Sequence, residues 1–173
     1  MCASTKHLTS SSTFTGKHEN EKHERGKREN ARRETKGMKV HLTRRYMFSA
    51  SHRLHSDEMS EQENRNIYGK CNNPHGHGHN YTIEVTVSGR VDDQTGMVCN
   101  LVDLDGFVHS HILERYDHQN LNLLSEFAKQ VPTTENLCIA IYEIMNRGFN
   151  GAHLEKVRIE ETMMNSFEYS GES

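Results

Sequence analysis

The sequence predicts an α+β domain in which two helices cover one face of a four-stranded antiparallel sheet. Three observations carry that reading. Residues 81–88 (Tyr-Thr-Ile-Glu-Val-Thr-Val-Ser) are rich in β-branched side chains and alternate strictly between apolar and polar, the period of a strand with one buried face. Two later runs place apolar residues at helical spacing. The elements follow one another as ββ, α, α, ββ, an order that sets the helices on one side of an antiparallel sheet.

Taken from the front, Val40–His52 alternates loosely through Val40, Leu42, Tyr46, Phe48 and Ala50 and reads as a strand. Residues 56–66 are polar, a short surface helix or a loop. After the strand at 81–88, the run Asp92-Asp93-Gln94-Thr95-Gly96 is a turn, and residues 97–101 resume a strand to give a hairpin. Residues 104–115 predict a helix with Leu104, Phe107, Val108, His111 and Ile112 on one face. A second helix begins at Thr133 or Thr134, whose hydroxyl caps it, with Glu135 against the positive helix end. Leu137, Ile141, Ile144 and Met145 form its apolar face and Gly148 ends it. Residues 157–161 and 167–169 close the chain as strands. So small a sheet leaves two open edges, which predicts self-association through strand edges.

Hydrophobic residues make up 33% of the chain and the mean hydropathy is −0.86, low for a compact domain. The deficit is concentrated in residues 1–37, a Ser, Thr, Lys, Arg and Glu-rich stretch in which Met1, Leu8 and Phe14 stand nearly alone. Such a composition cannot bury enough apolar surface to offset chain entropy, so a disordered polar extension is expected before a domain at 38–173. The extension carries a formal charge of +4, leaving the domain at −7. An acidic body argues against a nucleic-acid surface. Nothing is apolar enough for a membrane span or signal peptide, so a cytoplasmic protein is expected. Mitochondrial targeting by the extension is a poor alternative, because its five glutamates do not suit an acid-poor transit peptide. Cys2, Cys71, Cys99 and Cys138 form no C-x-x-C pair, which excludes a zinc ribbon and offers no disulfide framework. Cys138 and Cys99 read as structural, and Cys71 has the polar neighbours of a reactive thiol.

The chemistry gathers in the run Cys71-Asn-Asn-Pro-His75-Gly-His77-Gly-His79-Asn-Tyr81. Alternate strand residues share a face, so His77 and His79 present two imidazoles side by side. His52, closing the first strand, is the candidate third ligand. Three histidines leave one position open, the signature of a catalytic zinc, although the same set also accepts iron, cobalt or nickel. His75 has the same parity but lies in a Pro-Gly loop, and reads as a loop residue. Lys70 and a nearby divalent cation would both favour the Cys71 thiolate; the plain alternative is an inert loop cysteine. Asp117-His118 is a second acid/base candidate and Glu161 a carboxylate at a strand end, each unremarkable alone.

Together these residues resemble the 6-pyruvoyltetrahydropterin synthase family. The resemblance covers residues 46–171 in separate ordered blocks: Phe48-Ser-Ala-Ser-His-Arg-Leu-His55, Tyr68-Gly-Lys-Cys followed by Asn-Asn-Pro-His-Gly-His-Gly-His-Asn-Tyr81, Gly96-Met-Val, Asp117-His-Gln-Asn-Leu121, Thr133-Thr-Glu-Asn-Leu137 and Glu161-Thr-Met-Met-Asn165. It implies the T-fold, a four-stranded antiparallel sheet with two helices on one side, three subunits joining into a barrel and two rings stacking into a hexamer with active sites between subunits. It implies His52, His77 and His79 as zinc ligands, Cys71 as general base, Asp117 and His118 as a proton relay from a neighbouring subunit, and Glu161 as anchor of the pterin. Thr133, Thr134 and Glu135 match a segment lining the pterin pocket. The implied reaction converts 7,8-dihydroneopterin triphosphate to 6-pyruvoyltetrahydropterin with loss of triphosphate, assisted by Mg2+.

The chain departs from the family pattern at His75, commonly Asn, and at Tyr116 and Asn122, commonly Leu and Asp, which read as changes of packing and surface. The nearest rival is the sister 6-carboxytetrahydropterin synthase of queuosine biosynthesis, whose cysteine typically precedes the first histidine of the pair by four residues. Here Cys71 and His77 are six apart, with an Asn-Asn-Pro insertion. A non-catalytic metal- or pterin-binding protein is the rival of a different class, and it would not need Cys71, Asp117, His118 and Glu161 together.

Overall fold

The computed structural model describes residues 38–171; the extension expected at 1–37 lies outside them. Two 13-residue strands form the backbone of the domain. β1 (Val40–His52) and β2 (His77–Gly89) pair antiparallel without interruption, from Val40 opposite Gly89 to His52 opposite His77. β4 (His153–Thr162) pairs antiparallel with the other edge of β2, and β5 (Asn165–Tyr169) with β4. A two-residue strand, β3 (Gln119–Asn120), runs parallel to the end of β1 at Ala50 and Ser51. The sheet order is β3-β1-β2-β4-β5.

Two expectations are corrected. The sheet has five strands rather than four, because β3 adds a parallel pairing too short to leave a sequence period. Residues 97–101 form no strand. The Asp92 carboxylate accepts from the Gln94 and Thr95 amides and the Thr95 hydroxyl, Gly96 takes φ +70°, and a short loop then leads into a helix. Asn100 caps that helix by accepting from the Val102 amide at 3.0 Å. The apolar Met97, Val98 and Cys99 that suggest a strand lie in the loop leading to it, with Cys99 buried.

Two stretches of helix cover the face of the sheet that carries Phe48, Tyr81, Ile83 and Val85. The first is α2 (Leu101–Val108), extended through a π turn (His109–Leu113) into a last short turn (Glu114–Tyr116). It starts one turn earlier than residue 104. The second is α3 (Thr134–Gly148), capped by Thr133, whose hydroxyl accepts from the Asn136 amide. Leu104, Ile112, Leu137 and Ile141 are fully buried against the sheet, each contributing about 1.5–3 kcal/mol by leaving water. Cys138 is buried with them.

The polar stretch at 56–66 resolves as a short helix, α1 (Glu61–Tyr68), started by a reciprocal capping box between Ser60 and Glu63. Gly69, at φ +52°, turns it into a 3-10 turn (Gly69–Asn72) that carries Cys71. Among the described residues no helix is long and apolar enough to cross a membrane.

Candidate active site

The pairing of β1 with β2 places the site. Phe48, Ala50 and His52 share the helix-covered face with His77, His79 and Tyr81, because each set steps by two along its strand. His52 lies directly opposite His77, and His79 is one step further in, opposite Ala50. The three imidazole centroids are 4.6, 5.1 and 4.8 Å apart. The candidate ligating atoms all lie within 4.8 Å of one another, and this is the metal-capable cluster among the described residues.

Local chemistry fits these rings to a cation. His52 is buried and its Nδ1–H donates to the Pro132 carbonyl at 2.8 Å, which leaves the Nε2 lone pair free. That nitrogen stands 3.1 Å from Nε2 of His77, close to the ~3.3 Å edge of a tetrahedron with ~2.05 Å metal–nitrogen bonds. Nδ1 of His77 and Nε2 of His79 are buried with no hydrogen-bond partner. Burial pushes the His52 and His79 imidazoles down from their ordinary range, with the neighbouring rings adding to it, so both are neutral donors at neutral pH.

Glu161, near the end of β4, borders the triad without reaching ligand distance. Its Oε1 is 3.8 Å from His52 Nε2 and 3.6 Å from His79 Nε2. The Thr134 hydroxyl donates to Oε1 at 2.5 Å and the Asn165 amide to Oε2 at 3.0 Å. Burial alone would raise the Glu161 carboxyl, but these two hydrogen bonds and the imidazoles outweigh it and hold it below its ordinary value.

Cys71 sits half-buried on its 3-10 turn, anchored where its carbonyl accepts from the Leu54 amide at 2.9 Å. Burial first, and the Glu161 charge second, push its thiol up; the exposed Lys70 does not offset them. His75 is exposed and outside the triad.

Asp117 and His118 are built differently. Their segment is stitched to β1: the Asp117 carboxylate accepts from the Ser49 amide at 2.8 Å and the His118 amide donates to the Ser49 carbonyl at 2.6 Å. His118 takes φ +58°, the one non-glycine residue with positive φ among those described. Its Nδ1 is 3.0 Å from the Asp117 carboxylate, and its side chain is 82% exposed. It lines an open cleft with Ser49, Ser51, Gly78 and Asn80, whose floor also reaches Ala50 and, from the triad, His79. No described hydrogen bond or ion pair joins Asp117 or His118 to the triad, Cys71 or Glu161. Of the remaining expected residues, Thr134 reaches the site through Glu161, Thr133 caps α3, and Glu135 is exposed.

Sequence reasoning missed three participants. The Pro132 carbonyl, which sets the His52 tautomer, is a backbone atom with no residue signature. Tyr81 reads as an ordinary strand aromatic. Asn122 reads as surface, yet it accepts from the Arg53 amide at 2.7 Å and donates to the Arg53 carbonyl at 2.9 Å, joining the His118 segment to the residue after His52.

A family model described as 6-pyruvoyl tetrahydropterin synthase matches residues 41–172. The chain is 47% identical over 133 residues to the 6-pyruvoyl tetrahydrobiopterin synthase of Poecilia reticulata, covering 76% of this chain and 90% of that protein. It is 44% identical over 135 residues to the Homo sapiens protein of the same name, covering 78% and 93%. The solved structure of the Caenorhabditis elegans 6-pyruvoyl tetrahydropterin synthase matches with a TM-score of 0.75 at 42% identity, over 78% of this chain and 97% of that one.

Proposed function

The chain belongs to the 6-pyruvoyl tetrahydropterin synthase family, and from that membership we propose that it is the zinc-dependent lyase converting 7,8-dihydroneopterin triphosphate to 6-pyruvoyl-5,6,7,8-tetrahydropterin with elimination of triphosphate. It thereby serves tetrahydrobiopterin biosynthesis. The observation that carries this reading is the meeting, at one end of one sheet, of three convergent imidazoles with an ionised Glu161 and the Cys71 thiol.

His52, His77 and His79 would hold the zinc ion, which when bound would supply Lewis-acid polarisation of the substrate's side-chain hydroxyl oxygens. Glu161 accepts two N–H bonds from the guanidine-like edge of the pterin, a charge-assisted bidentate contact. Thr134 and Asn165 hold that carboxylate from behind, and Thr133 and Glu135 flank the pocket. Engagement of Glu161 by the pterin offsets one of the two influences that raise the Cys71 thiol. Cys71, as thiolate, then removes a carbon-bound proton. Asp117 fixes the His118 tautomer by accepting from Nδ1, so that Nε2 returns a proton elsewhere on the substrate. Proton shuffling of this kind achieves internal redox and elimination with no nicotinamide or flavin. Mg2+ would supply charge neutralisation for the departing triphosphate.

The 82% exposure of the His118 side chain, with no described hydrogen bond or ion pair to the triad, supports delivery of this relay to a neighbouring subunit. The assembly in this reading is a homohexamer, a dimer of trimers with active sites between subunits, acting in the cytoplasm.

The test is product identification by mass spectrometry after incubation with 7,8-dihydroneopterin triphosphate, Zn2+ and Mg2+, beside a Cys71→Ala control. Pyruvoyltetrahydropterin with triphosphate, lost in the control, is the expected result. A carboxylated pterin with acetaldehyde would assign the chain to 6-carboxytetrahydropterin synthesis, and unchanged substrate would leave a non-catalytic metal- or pterin-binding protein.

A further inference from the structure

β2 carries His77, His79 and Tyr81 on one face, so the phenol lies one step deeper than the two imidazoles. Tyr81 is fully buried. Its ring stacks on Phe48 at 5.2 Å and 23°, and its centroid is 5.5 Å from that of His79 and 6.4 Å from that of His52. The ring is thus fixed on both sides. Its hydroxyl oxygen, however, is sealed from solvent and makes no hydrogen bond. Burying a hydroxyl without a partner is unfavourable, and such groups in folded proteins are few and call for an explanation.

The neighbours supply one. The polar groups bearing on the phenol are Glu161, Thr134 and Cys71, all from the site described above. Thr134 has a single hydroxyl proton, already committed to Glu161 Oε1 at 2.5 Å. Its oxygen therefore offers lone pairs to any other neighbour. Asn165 covers the second carboxylate oxygen. The donor that would complete the set behind Glu161 is a hydroxyl facing Thr134 from the floor of the site, and Tyr81 is the buried, unpartnered hydroxyl there.

We propose that Tyr81 is a positioning residue for pterin recognition: with substrate bound, its hydroxyl donates to Thr134 Oγ1, locking the threonine proton onto Glu161 and aiming the free carboxylate lone pairs at the N–H edge of the pterin. The inference rests on Glu161 being the pterin anchor. Proton direction runs one way along the chain, from tyrosine to threonine to carboxylate, so Glu161 remains a pure acceptor. A phenylalanine at 81 keeps the stacking on Phe48 and removes only the donor.

The experiment uses the full chain loaded with zinc. Affinity for a non-reacting pterin, 7,8-dihydrobiopterin, is measured by fluorescence titration for the wild type, Tyr81→Phe, Thr134→Val, the double variant and Glu161→Gln, with zinc content determined for each. Tyr81→Phe should weaken pterin binding about tenfold, the effect of one hydrogen bond in a charge-assisted chain. The KM for 7,8-dihydroneopterin triphosphate should rise in step and kcat should move less, with zinc content unchanged. The double variant should bind no more weakly than Thr134→Val alone, because both break the same chain. Wild-type affinity in Tyr81→Phe, additive losses in the double variant, or loss of zinc from Tyr81→Phe would each overturn the proposal. Glu161→Gln separates the two readings: if it retains wild-type pterin affinity, the carboxylate is not the anchor, whereas weak binding by Glu161→Gln beside normal binding by Tyr81→Phe removes only the role of Tyr81.

Discussion

The His52, His77 and His79 cluster and the Asp117–His118 pair lie at the same end of the same sheet and are held by opposite means. The cluster is inward, built by side chains on two long strands, with the His52 tautomer set by the Pro132 carbonyl and burial holding the His52 and His79 imidazoles below their ordinary range. The pair is outward, held through its backbone to Ser49, with His118 exposed and in a left-handed conformation. In the proposed function one chain therefore supplies a pocket for a cation and a ring, and holds Asp117 and His118 on a separately anchored segment. In that function, the difference teaches that the group returning a proton can be held apart from the metal ligands and the base, to be joined with them in an assembly.

The largest expected effects would break the two parts apart. His77→Ala should remove bound zinc and lower turnover about a thousandfold or more. His118→Ala should lower turnover by a factor of about 10² to 10⁴ while zinc content and pterin affinity stay as in the wild type. Metal analysis, pterin titration and steady-state rates on the same preparations check both, and loss of zinc from His118→Ala would show that the two parts are not separable. Mixing sharpens the contrast. Unfolded and co-refolded Cys71→Ala and His118→Ala chains should regain up to about a quarter of wild-type activity, since random assembly yields sites with both groups intact. Cys71→Ala mixed with His77→Ala should regain none, because those two residues serve the same pocket. Equal recovery in the two mixtures would refute delivery of His118 across an interface.

Smaller effects concern support. Gly76 has φ +69°, and a Cβ there would stand 2.9 Å from the His52 carbonyl oxygen. Gly76→Ala should cost about 2 kcal/mol in urea unfolding and weaken zinc binding, as the turn into His77 is pushed off His52. On the outward side, Arg115 grips Glu126 through two hydrogen bonds of 2.7 and 2.6 Å, two residues before Asp117. Burial works against the Glu126 carboxylate, but the Arg115 hydrogen bonds prevail and bring it from 4.5 down to about 2. A carboxyl depressed on folding stabilises above its unfolded value and loses that contribution as pH falls through the folded one. The thermal midpoint of the wild type should therefore decline between pH 4.5 and about 2 more steeply than that of Glu126→Gln, with the two converging at the acid end.

Much of this was legible in the residues because it depends on period. Strict alternation gave β2 and put His77 and His79 on one face; a threonine before an apolar helical run gave α3. The Ser60 and Glu63 spacing of a capping box was present too, although the polar stretch around it reads equally as a loop. What escaped was set by tertiary contact. Two residues of β3 have no period, and the π turn at His109–Leu113 interrupts a helical pattern without changing its composition. Met97, Val98 and Cys99 are an apolar run that reads as a strand but lies in the loop before α2. Asn122 is polar and reads as surface until its two bonds to Arg53 are seen. Tyr81 satisfies every expectation of a core aromatic, and only its lone hydroxyl sets it apart.

The direct pairing of His52 with His77 has a consequence for how this sequence can change over time. A residue gained or lost within the Val40–His52 or His77–Gly89 strands would turn one of the facing histidines to the other side of the sheet. Substitution can wear away much of either strand, but insertion and deletion cannot enter them without scattering the triad. Length variation among viable descendants should accumulate instead in the connection around residues 90–100, where none of the described site residues lies.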